Sequence, residues 1–164
     1  MAKVYVSIGS NVDREENIQN AIRSLTQRFG RLSMSEVYES KAVGFDGDNF
    51  FNLVVAFDAQ EAPEVIVSVL HDIEHQLGRN RIGRKFSSRT VDLDILLYGD
   101  LVANTDEFHV PREEITEHAF VLWPLAEIAG DQRHPVTGER FRDLWKAFDR
   151  PNQDIWVTAL SPGS

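Results

Sequence analysis

Two apolar stripes at helical spacing restrict the possible folds of this chain more than any other feature. The first stripe consists of Ile18, Ala21, Ile22, Leu25 and Phe29 and stops at Gly30. The second consists of Ile66, Val69, Leu70, Ile73 and Leu77, between Pro63 and Gly78. Residues three and four positions apart share one helix face, proline suits a first helical turn and glycine suits a helix end. We therefore predict two amphipathic helices that must each cover an apolar face.

Four other segments have the pattern of strands. Three alternate regularly, with apolar residues at positions 4, 6 and 8, at 51, 53, 55 and 57, and at 91, 93, 95 and 97. In the remaining one, residues 32–38, the apolar phase slips between Met34 and Val37, which predicts a bulge or twist. The resulting order, β-α-β-β-α-β, predicts an α+β fold of the ferredoxin-like kind.

In that arrangement both helices cover one face of an antiparallel sheet, and the other face can carry an active site. The chain after Gly99 should wrap that second face or extend the sheet. A length of 164 residues suits one core, so we expect a single domain over residues 1–164.

Composition narrows the classes of partner. The formal net charge is -9, which argues against a nucleic-acid surface because such surfaces depend on clustered Lys and Arg. Without cysteine, a metal site must use carboxylate, carbonyl or imidazole ligands, which favours a hard cation. No stretch has the pattern of a signal peptide or a membrane span. We expect a cytoplasmic monomer that acts on small molecules.

One short segment reverses the acidic balance. Arg79, Arg81, Arg84, Lys85 and Arg89 follow one another with no Asp or Glu among them. Such a concentration of positive charge is typical of a site for a compact anion. A solvated basic loop is the alternative interpretation.

Asp92 and Asp94 follow this basic segment. Two positions apart on a strand, they should point to the same face, with α-carbons roughly 6.5 to 7 Å apart. Two carboxylates about 5 Å apart repel by roughly 3 kcal/mol at an effective dielectric constant near 20. A divalent cation offsets that repulsion, and Mg²⁺ takes one or two carboxylates together with water and phosphate oxygens. The alternative is that both aspartates merely solvate an edge strand.

The remaining motifs give weaker evidence for a functional site. Gly9-Ser10-Asn11 matches no phosphate-binding glycine motif and is interpreted as a strand-to-helix turn. The five histidines have no metal-binding spacing, so we expect them at the surface. Phe50, Phe120 and Trp123 suit either stacking on a planar ligand or packing in a core.

Taken together, the segments VYVSIGSN, FFNLVVAF, IEHQLGR, RTVDLDILLYG, and VP followed by AFVLWPLAEIA resemble the 6-hydroxymethyl-7,8-dihydropterin pyrophosphokinases of folate biosynthesis. The resemblance covers about residues 3 to 130. It implies an enzyme that moves pyrophosphate from ATP to a pterin alcohol and releases AMP. It also implies two Mg²⁺ ions, with ATP as co-substrate.

The resemblance implies a role for each matching residue. Asp92 and Asp94 would bind the metal, while Arg79 and Arg89 would steady the phosphates during transfer. The pterin contacts would come from Ser40, Val43, Phe50, Asn52 and Phe120. The nucleotide contacts would come from Glu74, Arg81, Arg84, Phe86, Ile95 and Arg112.

Several positions depart from the usual pattern of that family. Phe86 stands where a tryptophan is usual, Arg112 where a histidine is usual, and His118 where an arginine is usual. Two alternatives therefore stay open besides the pterin enzyme. One is a transferase that uses Mg-ATP and a different planar alcohol, and the other is a divergent paralogue that binds pterin or nucleotide with weak or no catalysis.

Overall fold

The computed structural model describes residues 1–41, 48–79, 91–149, 154–158 and 160. Its strands are β1 Ala2–Ser10, β2 Ser33–Met34, β3 Tyr38–Ser40, β4 Phe50–Ala59, β5 Asp92–Tyr98, β6 Ala103–Asn104, β7 His109–Val110 and β8 Ile155–Val157. Its α-helices are α1 Arg14–Phe29, α2 Pro63–Arg79, α3 Ala119–Ala129 and α4 Phe141–Ala147, with a 3-10 turn at Glu113–Thr116. Within these ranges no helix has the length and apolar character needed to cross a membrane.

The main sheet has the strand order β5-β1-β4-β3-β8, and every pairing in it is antiparallel. The short strand β2 also pairs with β4, and β6 and β7 form a separate small ribbon. This order places the first and last strands of the predicted β-α-β-β-α-β unit side by side. The predicted ferredoxin-like α+β fold is confirmed.

The predicted irregularity in the second strand is a bulge that divides it into β2 and β3. Met34 pairs with Val55 and Tyr38 pairs with Asn52, so four steps on one strand face three on the other. Ser35 spans the break, because its N–H donates to the Val54 carbonyl at 2.9 Å and its hydroxyl accepts from the Val54 N–H at 2.9 Å. The extra residue therefore leaves no backbone group of Val54 unpaired.

One face of the sheet packs against α1 and α2. Both helical stripes predicted from the sequence lie in this core, together with alternate residues of β1, β4 and β5 such as Val6, Val55 and Leu93. Gly30 ends α1 with φ 84°, a left-handed conformation that glycine adopts without strain. The second helix runs one residue beyond Gly78, to Arg79.

Helices α3 and α4 cover part of the opposite face. Tyr5, Val54 and Leu96 pack there against α3 residues such as Leu122 and Leu125, in a second core. The expectation that the chain after Gly99 wraps this face is confirmed, and β8 extends the sheet beside β3. The part that α3 leaves uncovered is where a ligand can reach the sheet.

The pattern-based assignment of Leu97 to the helix-facing core is wrong. Tyr5 pairs with Leu97 and Val6 pairs with Ile95, so β5 contains one extra residue, Leu96, at a bulge. Beyond the bulge the alternation changes phase, and both Leu96 and Leu97 pack in the second core. Strict alternation cannot reveal such a phase change when four apolar residues follow one another.

Candidate active site

The uncovered part of the sheet forms the floor of a cavity of about 170 Å³. Its lining includes six of the predicted site residues: Ser40, Phe50, Asn52, Asp92, Asp94 and Phe120. They come from β3, β4, β5 and the first turn of α3. Residues that are up to 80 positions apart in the sequence thus meet at one end of the sheet.

Gly9 lies at the centre of the cavity floor. It pairs with Asn52 on one side and with Asp92 on the other, in three adjacent strands. A Cβ atom at Gly9 would lie 3.3 Å from Asn52 Oδ1 and 3.8 Å from the Phe50 ring. The missing side chain therefore keeps open the space between the amide and the carboxylate.

The amide side of the cavity is fixed by hydrogen bonding. Asn52 donates from Nδ2 to the Ser40 hydroxyl at 2.8 Å, and both side chains are buried. Phe50 and Phe120 add aromatic surface to the lining beside this pair. His118 stacks on the Phe120 ring, with centroids 4.8 Å apart and planes 17° apart, and so supports its orientation.

The carboxylate side contains two acidic groups of the cavity lining, and a third acidic group, outside the lining, lies near them. Asp92 and Asp94 are half-buried and line the cavity from alternate positions of β5, as predicted. Glu74 of α2 accepts a hydrogen bond from the Leu93 N–H at 2.7 Å. Burial raises the pKa of the Glu74 carboxyl, the Leu93 hydrogen bond opposes that change, and the charges of Asp92 and Asp94 raise the pKa further. Three carboxyl groups therefore lie close together at this end of β5.

Arg112 brings a cation to the same place. Its Nη2 lies 3.6 Å from Asp94 Oδ1, and its Nε lies 2.5 Å from Glu114 Oε2. Its backbone N–H donates to the carbonyl of Leu96 at 3.0 Å, so the bulge residue of β5 also anchors the chain that carries the guanidinium. Arg112 thus lies beside one of the two predicted metal ligands.

The carboxylate pair fits a hydrated divalent cation. Within the described ranges no three or more His, Cys, Asp or Glu side chains are grouped so as to hold a metal ion. A cation at Asp92 and Asp94 would therefore complete its coordination with water or ligand oxygens, which is the preference of Mg²⁺.

Some predicted residues lie elsewhere. The Ile95 side chain is buried in the helix-facing core, on the face opposite Asp92 and Asp94, so only its backbone remains for a nucleotide contact. The predictions for Val43, Arg81, Arg84, Phe86 and Arg89 concern residues outside the described ranges, and so does the one for the side chain of Arg79.

The expectation that all histidines lie at the surface is wrong for His134. Its side chain is 7% exposed, and Nδ1 accepts hydrogen bonds from the backbone N–H groups of Val136 and Thr137 at 3.1 and 3.2 Å. Burial lowers the pKa of His134, and the nearby Glu139 charge partly opposes this. His134 stabilises a turn before α4 and does not line the cavity.

Sequence reasoning missed several residues of the site. Ser7, Gly9 and Lys41 line the cavity, and Glu114 holds Arg112. Ser7 and Gly9 alternate with the apolar residues of β1, so their shared face was available as a signal once the sheet order was assumed. The Glu114 contact depends on the tertiary path of the chain and had no comparable signal.

Comparisons with known proteins show the family of this chain. The family model for 7,8-dihydro-6-hydroxymethylpterin-pyrophosphokinase (HPPK) matches residues 5–130. The 2-amino-4-hydroxy-6-hydroxymethyldihydropteridine pyrophosphokinase of Aquifex aeolicus is 37% identical over 154 residues, 93% of each chain. The Pseudomonas aeruginosa protein of the same name is 36% identical over 137 residues, 81% of this chain and 84% of that one.

Other similar proteins are much longer. The folic acid synthesis protein fol1 of Pneumocystis carinii is 38% identical over 138 residues, which are 82% of this chain but only 18% of that protein. The Plasmodium falciparum HPPK-DHPS structure with pterin and p-hydroxybenzoate superposes with a TM-score of 0.70 at 13% identity, covering 88% of this chain and 42% of that one. At that identity the superposition supports the fold alone. The family match and the bacterial relatives together show that this chain belongs to the HPPK family of pterin pyrophosphokinases.

Proposed function

We propose that this protein transfers pyrophosphate from ATP to 6-hydroxymethyl-7,8-dihydropterin in a Mg²⁺-dependent reaction, giving the pterin diphosphate and AMP. The observation that carries the proposal is the composition of one cavity, which joins two aromatic rings and a fixed amide to a pair of carboxylates. The rings and the amide suit a planar heterocycle, and the carboxylates suit a polyphosphate with its metal ion. Membership of the HPPK family supports the same reaction.

The pterin would occupy the amide side of the cavity. Phe50 and Phe120 would stack on the heterocycle, and Asn52 would bond its polar edge, since an amide carries both a donor and an acceptor. Because Ser40 accepts one N–H of Asn52, the amide is held in one orientation before the ligand arrives. The backbone near Ser40 and Val43 would complete the contacts.

The phosphates would occupy the carboxylate side. Asp92 and Asp94 would hold two Mg²⁺ ions, which would neutralise negative charge on the transferred group. Arg79 and Arg89 would steady the phosphates in the transition state, and Arg112 would bind them from the far side of Asp94. The remaining nucleotide contacts would come from Glu74, Arg81, Arg84, Phe86 and the backbone of Ile95.

The proposed reaction is a direct transfer that needs no covalent enzyme intermediate. The oxygen of the pterin hydroxymethyl group attacks the β-phosphorus of ATP, and the bond from that phosphorus to the oxygen bridging the α- and β-phosphates breaks. AMP leaves with that oxygen, and the hydroxyl proton passes to water. Residues of the chain orient the two substrates and neutralise charge, which accounts for most catalysis in phosphoryl transfer.

The setting proposed for this activity is a cytoplasmic monomer with small-molecule substrates and no nucleic-acid or membrane partner. The net charge of -9 supports the absence of a nucleic-acid surface. The small volume of the cavity supports substrates of small size.

The test is AMP release from ATP with 6-hydroxymethyl-7,8-dihydropterin and Mg²⁺. Wild-type protein should form AMP only when all three are present. Asp94→Ala should lower the rate at least about a thousandfold, because a metal clamp contributes several kcal/mol to the transition state. Asp100→Asn, an exposed change in the turn after β5, is the matched control and should retain activity. Wild-type protein that forms no AMP, or an Asp94→Ala variant as active as wild type, contradicts the mechanism.

A further inference from the structure

The guanidinium of Arg112 lies where it would compete with a metal ion for the Asp94 carboxylate. Arg112 Nη2 lies 3.6 Å from Asp94 Oδ1, and Asp94 is one of the two carboxylates that face the cavity. We propose that Arg112 is a counter-cation of Asp94 in the ligand-free protein, and that a divalent cation must displace it from that carboxylate to bind.

The geometry favours a displaceable pair. The side chains of Arg112 and Asp94 are 31% and 40% exposed, so water screens their attraction and the pair is weak. The closer contact of Arg112 is to Glu114, at 2.5 Å from Nε. A guanidinium has several donors in a rigid fork, so Arg112 can release Asp94 while Glu114 still holds it.

The backbone restricts where the released guanidinium can go. The Arg112 N–H is bonded to the Leu96 carbonyl, and the 3-10 turn that contains Glu114 begins at the next residue. Arg112 therefore stays at the rim of the cavity after it leaves Asp94. A positive group held there suits the phosphates of an incoming nucleotide, so the same residue opposes metal alone and favours metal together with nucleotide.

This inference rests on the metal-binding role proposed for Asp92 and Asp94, and it is tested by binding rather than by turnover. Mn²⁺ is titrated into nucleotide-free protein, with the free ion measured by electron paramagnetic resonance. Arg112→Met should bind Mn²⁺ on the order of threefold to fivefold more tightly than wild type, the range expected for loss of a partly exposed ion pair. Arg142→Met is the control, since Arg142 pairs with Asp131 at 2.7 Å, away from the cavity.

Two further variants separate direct competition from a general effect of charge. Arg112→Lys keeps the charge but replaces the fork with a single ammonium group, which cannot hold Glu114 and Asp94 in the same way, so Mn²⁺ binding should also tighten. In an Asp94→Asn background, Arg112→Met should leave the remaining Mn²⁺ affinity unchanged, as a double-mutant cycle requires for a direct pair.

The outcomes are distinct. If Arg112→Met leaves Mn²⁺ affinity unchanged or weakens it, or tightens it equally in the Asp94→Asn background, direct competition is wrong. If wild-type protein forms AMP as proposed and the cycle shows no coupling between Arg112 and Asp94, the proposed function stands and only the role proposed for Arg112 is wrong. If wild-type protein neither binds Mn²⁺ nor forms AMP, the proposed function and this inference both fail.

Discussion

Asn52 and Ser40 form a hydrogen bond of 2.8 Å across the β3–β4 pair, between side chains that are only 6% and 4% exposed. A buried amide N–H without an acceptor costs about 1–3 kcal/mol, so the Ser40 hydroxyl both stabilises the fold and orients the amide. The orientation of the amide therefore depends on β3 and β4 together, because each strand supplies one of the two side chains.

We expect Ser40→Ala to lower the free energy of unfolding by about 1–3 kcal/mol and to raise the KM for the pterin more than the KM for ATP. The amide of Asn52 would then be free to rotate away from the ligand. Urea unfolding and steady-state kinetics measure the two effects. Ser33→Ala, at an exposed position in β2, is the control. Equal increases in both KM values would contradict an orienting role at the pterin.

Gly9→Ala should weaken pterin binding about tenfold or more, since small displacements of positioning groups carry large costs. The added methyl group would lie 3.3 Å from Asn52 Oδ1 and would displace the amide. Isothermal titration with the pterin alone measures the effect. Gly78→Ala is the control because a Cβ there meets nothing within 4 Å. A Gly9→Ala variant that binds pterin as wild type does would show that the floor of the cavity can relax.

Glu74→Gln should stabilise the protein at neutral pH. The folded pKa of Glu74 is raised above its ordinary value of 4.5, so the folded state favours the protonated form. Wild-type protein therefore loses stability as the pH rises from 4.5 through the folded pKa, whereas the glutamine variant does not. The difference in unfolding free energy should be smallest near pH 4 and should grow with pH.

Urea unfolding between pH 4 and about pH 8 checks this sign, over the range in which such a carboxyl changes charge. Asp72→Asn, an exposed change on the same helix, should leave the pH dependence close to that of wild type. A Glu74→Gln variant whose stability advantage shrinks as the pH rises would refute the prediction.

His134 should make the fold sensitive to acid. Burial lowers its folded pKa below the ordinary value of 6.5. The stability that neutral His134 contributes is therefore complete above pH 6.5 and is lost as the pH falls from 6.5 through the folded pKa. His134→Asn retains an acceptor for the N–H groups of Val136 and Thr137 but does not titrate. The variant should therefore lose less stability than wild type between pH 7.5 and about pH 5. Identical pH profiles would assign the acid sensitivity to other groups, and His109→Asn is the half-exposed control.

The sequence predicted helices α1 and α2, the four strands of the central unit and the shared face of Asp92 and Asp94, because each depends on local periodicity. It misplaced Leu97, because a bulge changes the side-chain phase without changing composition. It also missed Gly9, because a cavity floor is defined by the residues on neighbouring strands. The contact of Arg112 with Glu114 required the path of the chain after β7, which no local pattern specifies.

The bulge at Leu96 divides one seven-residue strand into two parts with separate tasks. Before it, Asp92 and Asp94 line the cavity while Leu93 and Ile95 pack against the helices on the other face. At and beyond it, Leu96 and Leu97 anchor the layer formed by α3 and α4. That layer and the carboxylate pair thus depend on different segments of the same strand, which makes the layer a suitable starting point for engineering.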